Sequence, residues 1–192
     1  MTALSRPVRR GFLVAHVVVS VGWLGLTLCL LVLAITGAAT GSAATAEAAY
    51  RAMRIFGDWL VAPLALSALA TGLVLSLGTH WGLVRHRWVL VKFVLTLITA
   101  TASIFALRAG INEAAAEVTA GRPVPDAGGL VVPPTVALVT YLFMTAVSVL
   151  KPWGPTRWGR RHQREQRARR TGDAARGTAR KGVARPPAGQ PV

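Results

Sequence analysis

Four long stretches of the chain carry no charged side chain: positions 11–46, 59–84, 93–107 and 127–150 lack Asp, Glu, Lys and Arg. Leu, Val and Ile fill them without the strict alternation of a half-buried strand. A mostly apolar run of about 18 residues or more reads as a bilayer-crossing helix, because 20 residues at about 1.5 Å rise cover the roughly 30 Å hydrocarbon layer. The pattern predicts four spans, at about 12–36, 58–78, 88–107 and 131–150. Lys92 interrupts the third, one turn inside its end, where a lysine stem reaches the interface by snorkelling. The expected fold is an all-α, four-helix transmembrane bundle over residues 1–151, followed by a basic tail over 152–192.

The connections carry their own signals. The segment 37–57 is rich in Ala and predicted to continue as helix into the second span, with Arg54 and Asp58 four apart and able to pair. Pro63 then falls inside a helix and frees the carbonyl of Trp59, which predicts a kink. The segment 108–130 reads as a short Ala/Glu helix followed by an irregular turn over 121–129, and Pro133 and Pro134 suit the first turn of the fourth span. Small residues at Ala68/Gly72, Thr99/Ser103 and Gly22/Gly25 suit close packing between helices.

Composition narrows the class. Of 192 residues, 53% are hydrophobic and 15% charged, against roughly 25% charged in soluble chains. That excludes a cytosolic enzyme built on one core. One cysteine excludes a disulfide scaffold, and Cys29, inside the first apolar run, reads as a small core residue.

The net charge of +15 is segregated. Arg6, Arg9, Arg10, Arg85, Arg87, Lys92 and all basic residues from Lys151 onward fall on one side of the four-span arrangement. The acids Glu47, Asp58, Glu113, Glu117 and Asp126 fall on the other, with Asp58 the deepest. The positive-inside bias places both termini in the cytoplasm of a bacterial inner membrane. Trp81, Trp88, Trp153 and Trp158 gather at the inner boundary and Trp59 at the outer. Arg9-Arg10 ahead of an apolar run resembles an export signal, but the run is about 25 residues where a cleavable one has about 7–15, so an uncleaved anchor is expected.

From Lys151 the chain holds 12 basic and 2 acidic residues and no apolar face, which predicts a disordered tail. Each Lys or Arg beside an anionic leaflet contributes about 1 kcal/mol. The cluster Arg160, Arg161, Arg164, Arg167, Arg169 and Arg170 is therefore expected to contact anionic lipid. Nucleic acid is not the expected partner, since no aromatic stacking platform accompanies the charge. Another copy of the chain, or another membrane protein, is.

Chemistry has few candidates. His16 lies six residues beyond Arg10, and His80 and His86 bracket the loop between the second and third spans. Imidazoles from different helices could ligate haem b or copper, with His16 and His86 as the pair. The simpler reading has His16 hydrogen-bonded to a neighbouring helix and the other two solvated. No His-x3-His spacing occurs, and Cys29 lies about 20 Å along the helix from His16. No Gly-x-Ser-x-Gly, Walker loop, GxGxxG or Cys-x-x-Cys occurs either, so a non-enzymatic protein without a cofactor is expected, with the haem or copper protein as the alternative.

Several segments together carry a resemblance: Ser20-Val21-Gly22-Trp23-Leu24-Gly25 after His16, the stretch from Ala49 to Gly78, Trp81-Gly82-Leu83, Arg85-His86-Arg87-Trp88-Val89-Leu90-Val91-Lys92, Pro123-Val124-Pro125-Asp126-Ala127-Gly128, and Ser148-Val149-Leu150-Lys151-Pro152-Trp153-Gly154. Over roughly 5–158 the chain resembles a family of small integral membrane proteins of high-GC Gram-positive bacteria. That resemblance implies the membrane fold and brings no established activity. The family commonly has proline where His80 stands, which implies His86 rather than His80 as a ligand. The first span, with His16 and then Gly-Trp-x-Gly, is also similar to copper-resistance D-type and cytochrome b561-like membrane domains, although their further intramembrane histidines are missing here.

Overall fold

A computed structural model of the chain describes residues 5–78, 87–150, 160 and 171–172. Four long helices account for almost all of them: α1 (Arg6–Ala39), α2 (Ala43–Leu77), α3 (Arg87–Thr119) and α4 (Val132–Leu150). No strand occurs among the described residues. Each helix is long and apolar enough to cross a membrane. At about 1.5 Å per residue, α1 to α3 are each about 50 Å long and α4 about 28 Å. Three of the four therefore exceed a roughly 30 Å hydrocarbon layer.

The helix ends follow local chemistry. Pro7 stands in the first turn of α1, where its missing N–H costs nothing. Thr40, in extended conformation, ends α1, and the Ser42 hydroxyl accepts from the Thr45 backbone N–H at 3.4 Å to start α2. The turn over 40–42 and the connection over 120–131 form what is called below the loop end. The N-terminus and the start of α3 lie at the opposite, terminal end. Gly121 adopts φ +69°, a left-handed conformation that a Cβ disfavours, just after α3 stops.

The helix expected over 37–57 is continuous with the second span from Ala43 onward, and Pro63 lies within it. The accommodation is a π turn over Gly57–Val61 immediately before the proline. A second π turn, Ala102–Leu107, interrupts α3, and the two π turns touch. Nothing in the sequence around 102–107 signals it.

Two apolar cores stack along the bundle. Toward the loop end, Leu30, Ala34, Tyr50, Met53, Val61, Leu107, Ile111 and Ala114 pack together. The Tyr50 ring lies directly on Gly37: a β-carbon placed there would be 2.7 Å from Tyr50 Cζ. Nearer the terminal end, Trp23, Ala65, Ala68, Ala100, Ala137, Tyr141 and Met144 form the second core. Its alanines let the helix backbones approach closely. The exterior is apolar as well: Val14, Val18, Val21, Leu28, Val32 and Ile35 of α1 are exposed, as are Val136, Val139 and Leu142 of α4. Surface of this kind belongs against lipid rather than water.

Cys29 corrects the sequence expectation, since it lies on the exposed face of α1 and not in the core. Every face of this helix is apolar, so composition does not distinguish inside from outside. Gly25 likewise opens onto empty space, with nothing within 4 Å of where a β-carbon would stand, whereas one on Gly22 would meet the Leu64 side chain at 3.6 Å. Ala68 and Ser103 are buried, as packing residues should be.

Candidate functional site

Polar side chains inside an apolar bundle are costly and mark the places to look for function. Three polar layers occur among the described residues. The layer nearest the terminal end draws on all four helices. His16 Nδ1 of α1 lies 2.9 Å from Thr71 Oγ1 of α2. Thr71 itself donates to the Ser67 carbonyl at 2.7 Å, which leaves its oxygen able to accept from the histidine. The ring also meets the Ala68 backbone, so a neutral His16 has both a hydroxyl and a backbone carbonyl within reach of its one N–H. The ring rests on Gly72, where a β-carbon would be 3.1 Å from His16 Cε1. Gly72 thus seats an imidazole rather than a helix backbone.

Lys92 of α3 completes this layer. Its ammonium donates to Ser148 Oγ of α4, and Ser148 in turn donates to the Met144 carbonyl at 3.0 Å. The charge lies close enough to act on the His16 ring. Ser148 stands two residues from the end of α4 at Leu150, so the ammonium sits near that end, as a snorkelling lysine should. A charged residue held at the middle of a span would cost about 3 kcal/mol on insertion scales. The position of Lys92 near the start of its helix avoids much of that.

The middle layer has no counterpart in the sequence reading. Thr27, Ser103 and Tyr141 bring three buried hydroxyls from α1, α3 and α4 together, with Trp23 beside them. The rings of Trp23 and Tyr141 lie 4.9 Å apart at 49°, a tilted aromatic pair. Thr27 Oγ1 donates to the Trp23 carbonyl at 2.9 Å. Ser103 reaches the layer from the π turn of α3.

The third layer lies where the two π turns meet. The expected contact of Asp58 with Arg54 is present at 3.7 Å. The shorter partner is Arg108 of α3, whose guanidinium reaches Asp58 Oδ1 at 2.9 Å. A pair separated by 50 positions has no local sequence signal. Because both side chains are about one-third exposed, the pair is worth little more than a surface one. Neutralising Asp58 and Arg108 singly and together (Asp58→Asn, Arg108→Gln) should give a coupling energy of about 1 kcal/mol in detergent unfolding experiments. Strict additivity would show that the contact contributes nothing.

His86, the second expected ligand, lies outside the described residues, as do His80, Arg161, Arg164, Arg167, Arg169 and Arg170. Arg160 is described and exposed. Among the described residues no group of three His, Cys, Asp or Glu side chains could hold a metal ion. Comparison with known protein families, with curated proteins and with solved structures finds no match to the chain.

Proposed function

We propose that the chain is a non-enzymatic integral membrane protein that works through its surfaces: apolar helix faces toward lipid or a partner helix, and a basic cytoplasmic segment toward an anionic inner leaflet. One observation carries the reading. The intramembrane ionisable groups of the terminal-end layer are tied to neighbouring helices, His16 to Thr71 and Lys92 to Ser148, while the outward faces are continuously apolar. Such an interior supports packing, and such an exterior supports lateral contact.

The orientation follows from charge. The terminal end carries Arg6, Arg9, Arg10 and Arg87, the sequence from Lys151 onward adds 12 basic and 2 acidic residues, and the five acids before it belong to the loop-end half. Reporter fusions after residues 42 and 120 should both read as external, and a cytoplasmic signal at either would overturn the topology. For the tail, reconstituted full-length protein should cluster vesicles containing phosphatidylglycerol and release them as salt rises above about 0.15 M. Equal action on neutral vesicles would remove the lipid role of Arg160, Arg161, Arg164, Arg167, Arg169 and Arg170.

A second reading, a haem b or copper protein ligated by His16 and His86, is favoured by the His16 geometry. With Nδ1 beside Thr71, Nε2 is the nitrogen a metal would take, and the Thr71 contact is the kind of outer partner that orients metal-bound imidazoles.

A further inference from the structure

Among the described residues, the terminal-end layer holds a cation without a carboxylate. All carboxylates among the described residues (Glu47, Asp58, Glu113, Glu117 and Asp126) belong to the loop-end half of the chain's path. From Lys92 to Arg108, the partner of Asp58, the rise along α3 is about 24 Å. An ammonium has three N–H donors. One is given to Ser148, and among the described residues no acceptor takes the other two. Ser148 cannot neutralise the charge, since a hydroxyl that donates to the Met144 carbonyl is itself neutral. The His16 ring nearby adds no negative charge either.

The position fits one class of counter-ion. Trp88 stands one turn before Lys92 on the same face of α3, about 6 Å closer to the helix start. A tryptophan at a helix end marks the headgroup level, and a lysine stem spans about that distance. On α1, Arg9 lies two turns before His16 on the same face, and is exposed at the same end. A phosphate at the headgroup level is thus within reach of the two uncommitted Lys92 donors, with Arg9 as a further cation at that end.

We propose that Lys92, supported by Ser148, is a discrete binding site for the phosphate group of an anionic phospholipid at the terminal end of the bundle. The inference rests on the membrane reading above but not on the tail, which it does not use. It differs from tail binding in being one-to-one and set by a hydrogen-bonded lysine between α3 and α4.

Native mass spectrometry of the full chain in detergent tests it, with phosphatidylglycerol, phosphatidylcholine and inorganic phosphate as probes. Wild-type protein should retain one phosphatidylglycerol through detergent exchange and bind phosphatidylcholine at least tenfold more weakly. Lys92→Gln should lose at least tenfold in phosphatidylglycerol affinity, and Lys92→Arg should keep it, which separates loss of charge from loss of fold. A chain with Arg160, Arg161, Arg164, Arg167, Arg169 and Arg170 all changed to Gln should retain the bound lipid while losing vesicle clustering. Displacement of the lipid by millimolar phosphate would support the anion site and assign it to the phosphate group alone. Wild-type-like lipid retention by Lys92→Gln, or equal retention of phosphatidylcholine, would overturn the proposal. Loss of the bound lipid on neutralising the tail alone would also overturn it and leave the tail reading standing.

Discussion

Gly37→Ala should destabilise the protein by about 1–3 kcal/mol, the usual cost of forcing a methyl into a filled core. The new methyl would sit 2.7 Å from Tyr50 Cζ, and both neighbouring ring carbons would lie 3.0 Å away. The ring cannot retreat, because Tyr50 is only 1% exposed and is packed in the loop-end core. The sign is informative, since Gly→Ala inside a helix ordinarily gains about 1 kcal/mol. Gly25→Ala, twelve residues earlier on the same helix with nothing within 4 Å, should show that gain or no change. Tyr50→Leu should rescue much of the Gly37→Ala loss by removing the obstructing ring. Tyr50→Phe should cost little, because the Tyr50 hydroxyl is buried without a hydrogen-bond partner among the described residues. Thermal unfolding in a mild detergent checks all four. A neutral Gly37→Ala would mean that α1 and α2 do not pack through this contact.

Ile111→Ala should be the most damaging of the simple truncations, at about 2–5 kcal/mol. Ile111 is fully buried, and a methyl placed on Gly57 of the facing π turn would lie 3.6 Å from its Cδ1. The π turn leaves the segment little freedom to collapse into the cavity. At about 2–4 °C per kcal/mol for a chain of this size, the melting temperature should fall by about 5 °C or more. Val32→Ala, on the exposed face of α1 at 55% exposure, should change stability by less than about 0.5 kcal/mol. Equal losses at the two positions would show that α1 turns a different face to the bundle.

The number of helices is readable because charge-free runs in a membrane protein have one simple explanation, a backbone that must satisfy its own hydrogen bonds in lipid. Pro63 announces a disturbance in α2, and the structure accommodates it as a π turn. Pro133 and Pro134 open α4 as expected. The facing of each helix is not readable. Where lipid and core are equally apolar, the contrast that marks the inner face of a soluble helix is missing, and an inward Cys29 is the wrong expectation for that reason. Partners across helices are equally hidden. Asp58 finds Arg108 as well as Arg54, and Tyr141 meets Thr27 and Ser103, at separations no local spacing encodes. His16 is the intermediate case. Bonding to a neighbouring helix is the simpler expectation from sequence, but nothing there points to Thr71 as the partner. Nor does it show that Gly72, marked as a helix-packing residue, seats the ring.

The two readings of His16 separate in a single measurement: visible absorption of the gently purified protein, oxidised and reduced, with elemental metal analysis, from cells supplied with haem and copper. A bundle that acts through its surfaces should be colourless and hold no stoichiometric metal, and His16→Ala should change stability without changing the spectrum. A haem band or one equivalent of copper that disappears in His16→Ala would contradict that account and make His16 a ligand.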